Sequence, residues 1–148
     1  MNQELIARYR DAAKTGILNV SNMNLETLPP LPDWIIRLNC SNNLLTALPD
    51  IPASLVGLNC YKNKLTSLPF LPESLKELYC SYNEITSITT LPTSLTHLYC
   101  NNNQLTSLPT LPESLTQLYC HDNKLALLPS IPDSLTFVNC KRTLWDKL

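Results

Sequence analysis

Apolar and polar residues recur along this chain with a period of twenty residues. The pattern L-x-x-L-x-C-x-x-N-x-[LI] begins at Leu75 and returns at Leu95 and Leu115. One position of successive units is held by the six cysteines of the chain, Cys40, Cys60, Cys80, Cys100, Cys120 and Cys140. A unit this short cannot bury an apolar face alone and must stack on its neighbours. The spacing therefore predicts a repeat solenoid.

Within each unit, the residues before the cysteine alternate in polarity. Leu78 and Cys80 fall on one face while Glu77 and Tyr79 fall on the other, which predicts a short strand. The Leu-Pro-x-Leu-Pro-x-Ser segment, as in 68–74, cannot be helical, because its prolines lack amide donors and hold the preceding residues extended. We therefore expect short parallel strands on a concave face and extended, polyproline-like segments on the convex side.

The start of the chain has a different periodicity. Five apolar residues within 2–14 share one face of a helix: Leu5, Ile6, Tyr9, Ala12 and Ala13. Asn2 is suited to the N-cap of this helix and Gly16 to its C′ position. Residues 1–16 are thus predicted to form a helical cap over the open end of the repeat core. A free interaction helix is the alternative.

The repeats are predicted to extend over 17–140. Val20 occupies the cysteine position of a first unit, which brings the number of units to about seven. Residues 141–148 begin a further unit, but Thr143 replaces its asparagine. We expect these residues to form a partial repeat or cap in which Trp145 covers the last apolar layer. The alternative is that the chain is the front part of a longer protein. The sequence does not distinguish these two interpretations.

The pattern L-x-x-L-x-[LC]-x-x-N-x-L followed by L-P-x-L-P-x-S resembles the short leucine-rich repeat of bacterial type III effectors. Such repeats occur in the IpaH-type ubiquitin ligases and in the YopM-type scaffold effectors. The resemblance covers about Leu18 to Cys140 and implies a leucine-rich-repeat horseshoe. Two departures are that Trp34 stands where serine is expected and that 88–92 lacks its first proline.

The same resemblance suggests an effector or scaffold that acts on a partner protein, without a ligase domain. In IpaH-type ligases, the catalytic cysteine lies in a C-x-D motif within a separate helical domain. Cys120-His121-Asp122 matches those letters, but Cys120 is a core position of the solenoid. We therefore do not expect ligase activity from this motif.

The cysteines and asparagines form two inward columns with expected structural roles. Free cysteine packs as a small buried hydrophobe. Disulfides between neighbouring units are not expected, because strands about 4.8 Å apart hold the Cβ atoms beyond bridging range. Metal binding lacks converging ligands, and a buried thiol resists ionisation. The asparagines, such as Asn83, are expected to pair with backbone groups of the turn.

The concave face carries the residues that vary between units, so it is the predicted site of function. Tyr79, Tyr99 and Tyr119 form a column flanked by Tyr61 and Tyr82, and tyrosine is enriched in binding hot spots. The alternative is that tyrosines simply suit strands and stack on one another. The predicted partner-binding residues are Arg37, Tyr61, Glu77, Tyr79, Tyr82, His97, Tyr99, Gln117, Tyr119 and Phe137. The columns expected to be exposed also include Ser41, Gly57, Ser81 and Asn101.

Charge and composition exclude several classes of function. The net charge of −1 gives no electrostatic case for nucleic acid or membrane binding, although the turn edge of the sheet has an excess of basic residues. The sequence has no apolar run long enough for a signal peptide or a membrane span. We expect a cytoplasmic protein, or one delivered into a host cytosol if it is an effector. It should be a monomer, with end-to-end association as the alternative.

No catalytic constellation or cofactor motif accompanies the repeats. His97 and His121 lie in adjacent units and make only a weak candidate for a metal or acid–base site. The sequence thus predicts a non-enzymatic module that binds a protein partner, with no cofactor and no metal. One alternative is the substrate-recognition part of an enzyme such as a ubiquitin ligase. The other is a thiol or metal protein built on the cysteine column.

Overall fold

A computed structural model describes residues 3–140 of the chain as one helix followed by seven parallel strands. The helix α1 covers Gln3–Thr15. The strands are β1 (Ile17–Asn19), β2 (Arg37–Asn39), β3 (Gly57–Asn59), β4 (Glu77–Tyr79), β5 (His97–Tyr99), β6 (Gln117–Tyr119) and β7 (Phe137–Asn139). They form a single sheet in chain order. The predicted leucine-rich-repeat solenoid, with its strands on the concave face, is confirmed.

The register of the sheet follows directly from the twenty-residue period. Leu38 pairs with Leu58 and Leu58 with Leu78, so each residue lies beside its equivalent in the next unit. Backbone hydrogen bonding continues past the strands into the turns, where Lys62 N–H donates to the Ser81 carbonyl at 2.9 Å. Every position of the repeat therefore becomes a column of neighbouring side chains.

The convex side of each unit is extended and makes one tight turn. The Leu55 N–H donates to the Pro52 carbonyl at 3.0 Å, and the equivalent bond recurs in the following units. In every such turn except the first, where Trp34 stands, a serine within the turn joins its unit to the preceding one. Ser74 Oγ, for example, donates to the Ala53 and Leu55 carbonyls at 2.7 and 2.6 Å. This explains the serine of the L-P-x-L-P-x-S motif.

The core is a stack of aliphatic layers. Leu58, Leu78 and Leu98 on the strands are fully buried, as are Leu65 and Ile85 in the turns. Burying each such side chain stabilises the fold by roughly 1.5–3 kcal/mol. Val138 is expected in the same column but is 44% exposed. It belongs to β7, which has a strand beside it on one side only within residues 3–140.

The asparagine column ties successive turns together, as the sequence predicts. Asn83 Nδ2 donates to the Cys60 and Cys80 carbonyls at 3.0 and 3.1 Å. Its Oδ1 accepts the Leu65 N–H at 2.9 Å. Because the amide is buried, it supplies partners to backbone groups that water does not reach.

Helix α1 packs beside β1. Leu5 and Ala12 are buried and Tyr9 is partly buried, whereas Ile6 and Ala13 are exposed, so the buried face is narrower than the spacing indicates. The proposed N-cap, Asn2, lies outside the described residues, as do 141–148 with Trp145. No helix within 3–140 has the length and apolar composition needed to cross a membrane. The division into a cap over 1–16 and repeats over 17–140 stays a prediction.

The end of α1 is joined to the sheet through Gly16. Its N–H donates to the Ala12 carbonyl at 2.8 Å, and its φ of +73° is one that L-residues rarely adopt. Its carbonyl accepts the N–H groups of Ile36 and Arg37. Gly16 is therefore at the predicted C′ position of the helix and also begins the ladder of the sheet.

Candidate binding surface

Aromatic rings run continuously across four strands of the sheet. The ring centroids of Tyr79 and Tyr99 are 4.9 Å apart, and those of Tyr99 and Tyr119 are 4.2 Å apart. Phe137 extends the row, stacking on Tyr119 with centroids 4.8 Å apart and planes inclined by 26°. We call Tyr79, Tyr99, Tyr119 and Phe137 the aromatic stripe. The structure thus brings together residues that the sequence assigns to two different columns.

The stripe is apolar on its ring faces and polar at its hydroxyls. Tyr99 Oη donates to Gln117 Oε1 at 2.7 Å, so a fifth predicted residue is hydrogen-bonded to the stripe. Desolvation by burial is the main cause that raises the pKa of both Tyr79 and Tyr99, so the phenols stay neutral. All three tyrosines are partly buried, because neighbouring rings cover one another. The surface of the stripe thus presents both ring edges and hydroxyl groups.

Beside the stripe, Arg37 and Glu77 form an ion pair across an intervening repeat. The Arg37 Nη1 and Nη2 groups donate to the two carboxylate oxygens of Glu77 at 2.7 and 3.0 Å. Gly57 lies between them, and a Cβ at this position would come within 2.8 Å of Arg37 Nη1. The expectation that Gly57 is exposed is wrong, because the arginine side chain covers it. A glycine between opposite charges in one column is the signal that would have identified this pair.

A shallow depression of about 280 Å³ lies where the ion pair meets the first strands. Its lining combines the apolar Ile17 and Leu38 with the polar Asn39 and Asn59, and Tyr79 lies at its border with the stripe. The concave face therefore has a polar half near the helix and an aromatic half further along.

The two histidines have separate local partners. His97 Nδ1 lies 2.8 Å from Thr96 Oγ1, and that hydroxyl also donates to the Lys76 carbonyl. His121 Nε2 lies 3.9 Å from Asp122 Oδ2, while its buried Nδ1 has no hydrogen-bond partner. Within residues 3–140, no group of three or more His, Cys, Asp or Glu side chains could hold a metal ion.

Tyr61 and Tyr82 form a second aromatic contact at the turn edge of the sheet. Their ring centroids are 5.3 Å apart in an edge-to-face arrangement. Ring contacts within residues 3–140 do not connect this pair to the stripe. The sequence groups all five tyrosines on one face, whereas the structure divides them into two clusters.

The turn columns differ from expectation in their burial. Ser41, Ser81 and Asn101 are predicted to be exposed, yet all three are buried. Ser41 Oγ donates to Asn39 Oδ1 at 2.7 Å, and Ser81 Oγ donates to Asn101 Oδ1 at 2.6 Å. These hydrogen bonds draw the short polar side chains into the turn. The repeat period predicts the column in which these residues lie, but it does not predict the side-chain hydrogen bonds that bury them.

The cysteine column is buried from Cys40 to Cys120, as predicted for a core position, whereas Cys140 in the last described repeat is only partly buried. Cys40, Cys60, Cys80 and Cys100 are free thiols with no exposed surface. Burial raises the pKa of Cys40 and of Cys80 to about 12, so neither is available as a thiolate near neutral pH.

Cys120 and Cys140, by contrast, are joined by a disulfide. Their Cα atoms are 4.6 Å apart, within the roughly 4.4–6.8 Å that disulfides span. The expectation that cysteines of neighbouring units cannot be bridged is wrong for this pair. Strand spacing alone does not exclude the bond, since the Cβ atoms need to tilt only slightly toward each other.

Comparison with known proteins places these features among leucine-rich repeats. A family model described as Leucine Rich repeats (2 copies) matches residues 73–113. YopM from Yersinia enterocolitica WA-314 is 38% identical, with a TM-score of 0.92, over 95% of this chain and 32% of that one. YopM from Yersinia pestis, a leucine-rich effector protein, is 32% identical with a TM-score of 0.76, over 92% and 46% of the two chains.

A third similar structure is a leucine-rich-repeat domain of a Shigella effector. It is 32% identical with a TM-score of 0.62, and the match covers 88% of this chain and 69% of that one. The chain thus spans less than half of either YopM chain but most of the Shigella domain. No curated protein sequence gives a match.

Proposed function

This chain belongs to the leucine-rich-repeat family, and we propose that it is a non-catalytic protein-interaction module that binds its partner on the aromatic stripe. Leucine-rich-repeat domains generally bind proteins, and repeats of this kind are typically without catalytic activity. The partner-binding role of the stripe is the specific part of the proposal. The observation that carries it is the unbroken row of Tyr79, Tyr99, Tyr119 and Phe137 on the concave face.

The fold itself does not need tyrosine in this column. Asn39 and Asn59 hold the equivalent position in two other repeats, where each Oδ1 accepts the N–H two residues later at 3.1 and 3.0 Å. Asparagine at this position therefore supports the turn directly, while the tyrosine rings contact one another. Tyrosine combines a large rigid contact area with a hydroxyl, which suits it to binding surfaces. This contrast favours recognition over strand stability as the reason for the tyrosines.

The neighbouring polar half of the face would set the orientation of the partner. The Arg37–Glu77 pair, His97 and Gln117 belong to one column and border one side of the stripe with hydrogen-bonding groups, as a polar rim borders an apolar centre. We assign Arg37, Glu77, His97 and Gln117 to this rim. Rim charges act mainly on association rate and specificity, whereas the central aromatics account for most of the affinity.

A triple variant, Tyr79→Asn/Tyr99→Asn/Tyr119→Asn, tests the proposal, because it introduces the residue that other repeats already carry. Affinity capture from a host-cell lysate with wild-type and variant protein should show partners that only the wild type retains. The matched control is Leu127→Ser, which changes an exposed side chain outside the sheet. Partners retained equally by all three proteins would refute the stripe as the binding surface.

A place in a bacterial effector is supported by the likeness to the YopM and Shigella structures. We propose that the chain acts as the recognition part of such an effector, which would be delivered into a host cytosol. That it covers only 32% and 46% of the YopM chains favours repeats serving within a longer protein. A translocation assay checks this, with a reporter fused to the full product of the natural gene. Absence of the reporter from host cells, while a known effector fusion enters, would contradict it.

A further inference from the structure

We propose that Tyr61, Lys62, Lys64 and Tyr82, the turn-edge cluster, form a second binding surface for an extended acidic segment of a partner protein. This rests on the protein-interaction role proposed above but does not use the aromatic stripe. The cluster lies in the turns that follow β3 and β4. It is supported by backbone conformation, by lost local hydrogen bonds and by charge.

Two residues of the cluster adopt a backbone conformation that disfavours them. Lys62 and Tyr82 have φ values of 54° and 56°, in the left-handed region. In the other repeats this position has the same φ but carries Asn22, Asn42, Asn102 and Asp122. Asparagine and aspartate tolerate the left-handed region, whereas a bulky side chain is an outlier there. The fold alone would favour asparagine at both positions.

Tyr61 departs from its column in a similar way. Ser21 and Ser41 hold the equivalent position, and each hydroxyl donates to an asparagine Oδ1, at 2.8 and 2.7 Å. Tyr61 keeps only the backbone part of this arrangement, its N–H donating to Asn59 Oδ1 at 3.0 Å. The side chain instead extends to the surface and is 36% exposed. The repeat thereby loses a local hydrogen bond.

The two tyrosines that depart from the repeat pattern, Tyr61 and Tyr82, lie in adjacent repeats and contact each other. The Tyr61 and Tyr82 rings contact each other edge to face, and Tyr82 remains 46% exposed. Within residues 3–140, neither phenol hydroxyl has a hydrogen-bond partner. The ring contact compensates for part of the backbone strain, but it gives no reason for Lys62. Residues that oppose local preference in a group are typical of functional sites.

The charge of the cluster indicates the kind of partner. Lys62 and Lys64 are exposed, and neither takes part in an ion pair among the described residues. Glu84 follows Lys64 in its column and Glu26 lines a surface depression together with Lys64, so these two carboxylates bound the positive region on the Lys64 side. Neither forms an ion pair with Lys62 or Lys64. Unpaired lysines beside open tyrosine faces fit glutamate or aspartate side chains interspersed with proline, whose rings pack on aromatic surfaces.

The test measures binding of a fluorescein-labelled peptide of alternating glutamate and proline to the full chain by fluorescence anisotropy. Two double variants carry residues that other repeats hold at the same positions: Tyr61→Ser/Tyr82→Asn and Lys62→Asn/Lys64→Gln. Both are expected to keep or raise the melting temperature, since they restore the local preference of the turn. Each should weaken peptide binding about tenfold. Raising NaCl from about 50 to about 300 mM should weaken binding to the wild type but not to the lysine variant.

Leu127→Ser changes an exposed side chain outside both surfaces, so it serves as the matched control and should leave peptide affinity unchanged. The peptide assay does not use a partner captured by the stripe, so failure of the stripe and failure of this cluster are separable. Undetectable binding of the acidic peptide to the wild type would overturn the proposal. Equal binding of a lysine–proline peptide would do the same, as would double variants that are folded and bind as tightly as the wild type. Tighter binding of a single-stranded oligonucleotide than of the acidic peptide would assign the cluster to nucleic acid instead.

Discussion

Arg37 and Glu77 make two charge-assisted hydrogen bonds, at 2.7 and 3.0 Å, although a whole repeat separates their strands. The arginine reaches across because Gly57 of the intervening strand has no side chain. The absence of a Cβ at Gly57 thus allows one ion pair to span three repeats on the concave face. Both charged side chains are only partly buried, so the pair contributes modestly to stability and mainly fixes the shape of the surface.

The ion pair should make stability depend on pH. The hydrogen bonds from Arg37 hold the pKa of the Glu77 carboxyl below its ordinary value of 4.5. Stabilisation is therefore complete above that value and is lost as pH falls through the lowered pKa. Urea unfolding should show that Glu77→Gln lowers the free energy of unfolding by no more than about 1 kcal/mol near pH 7. That difference should shrink at about pH 2.

Two controls separate this pair from general charge effects. Glu113→Gln changes an exposed carboxylate and should leave stability unaltered at both pH values. Gly57→Ala should displace the arginine and raise the pKa of Glu77 toward its ordinary value, which a carboxyl NMR titration would detect. A Glu77→Gln effect of constant size across the pH range would contradict the assigned cause.

The cysteine column should be chemically inert in the folded protein. Cys40, Cys60, Cys80 and Cys100 are buried, and burial raises the pKa of their thiols. Because the thiolate is the reacting form, alkylation should be slow in the native state. Denaturation without reductant should expose four thiols, and added reductant should expose two more. Fast labelling of the native protein, or stoichiometric bound metal, would contradict the packing role.

The asparagine column should be indispensable for stability. Asn83→Ala removes the partner of four backbone groups, namely the Leu65 N–H and the Cys60, Cys80 and Ser81 carbonyls. Leaving buried polar groups unpaired costs about 1–3 kcal/mol each, so four unpaired groups predict a loss of at least about 4 kcal/mol in the free energy of unfolding. Asn83→Asp should be as harmful, since a carboxylate cannot donate to the carbonyls. The exposed Gln104→Ala serves as the control, and equal effects at both sites would contradict this role.

The repeat period fixes the backbone register and therefore most of the fold. Because Leu58 must lie beside Leu78, the sheet, the core columns and the role of Asn83 follow from spacing. Spacing does not determine where a long side chain goes. Arg37 passes over Gly57 to reach Glu77 two strands away in its own column, and Phe137 contacts Tyr119 of the neighbouring column. The sequence therefore gives the positions of these residues but not their pairing.

Local backbone conformation is a second feature that the repeat period does not reveal. Lys62 and Tyr82 are unusual because their position in the turn has a positive φ. In the sequence this position is visible only as a column rich in asparagine. The exposure of Val138 and the disulfide between Cys120 and Cys140 arise in the last described repeats, where a column loses its uniform surroundings. Periodicity predicts an average unit and is weakest where units differ.

Site-specific photo-crosslinking tests the binding role of the aromatic stripe most directly. A benzoylphenylalanine at position 99 lies in the middle of the stripe, and the same group at position 127 is exposed outside the sheet. With a partner captured by the wild-type protein, we predict a covalent adduct from position 99 and none from position 127. An adduct from position 127 alone would contradict recognition through Tyr79, Tyr99, Tyr119 and Phe137.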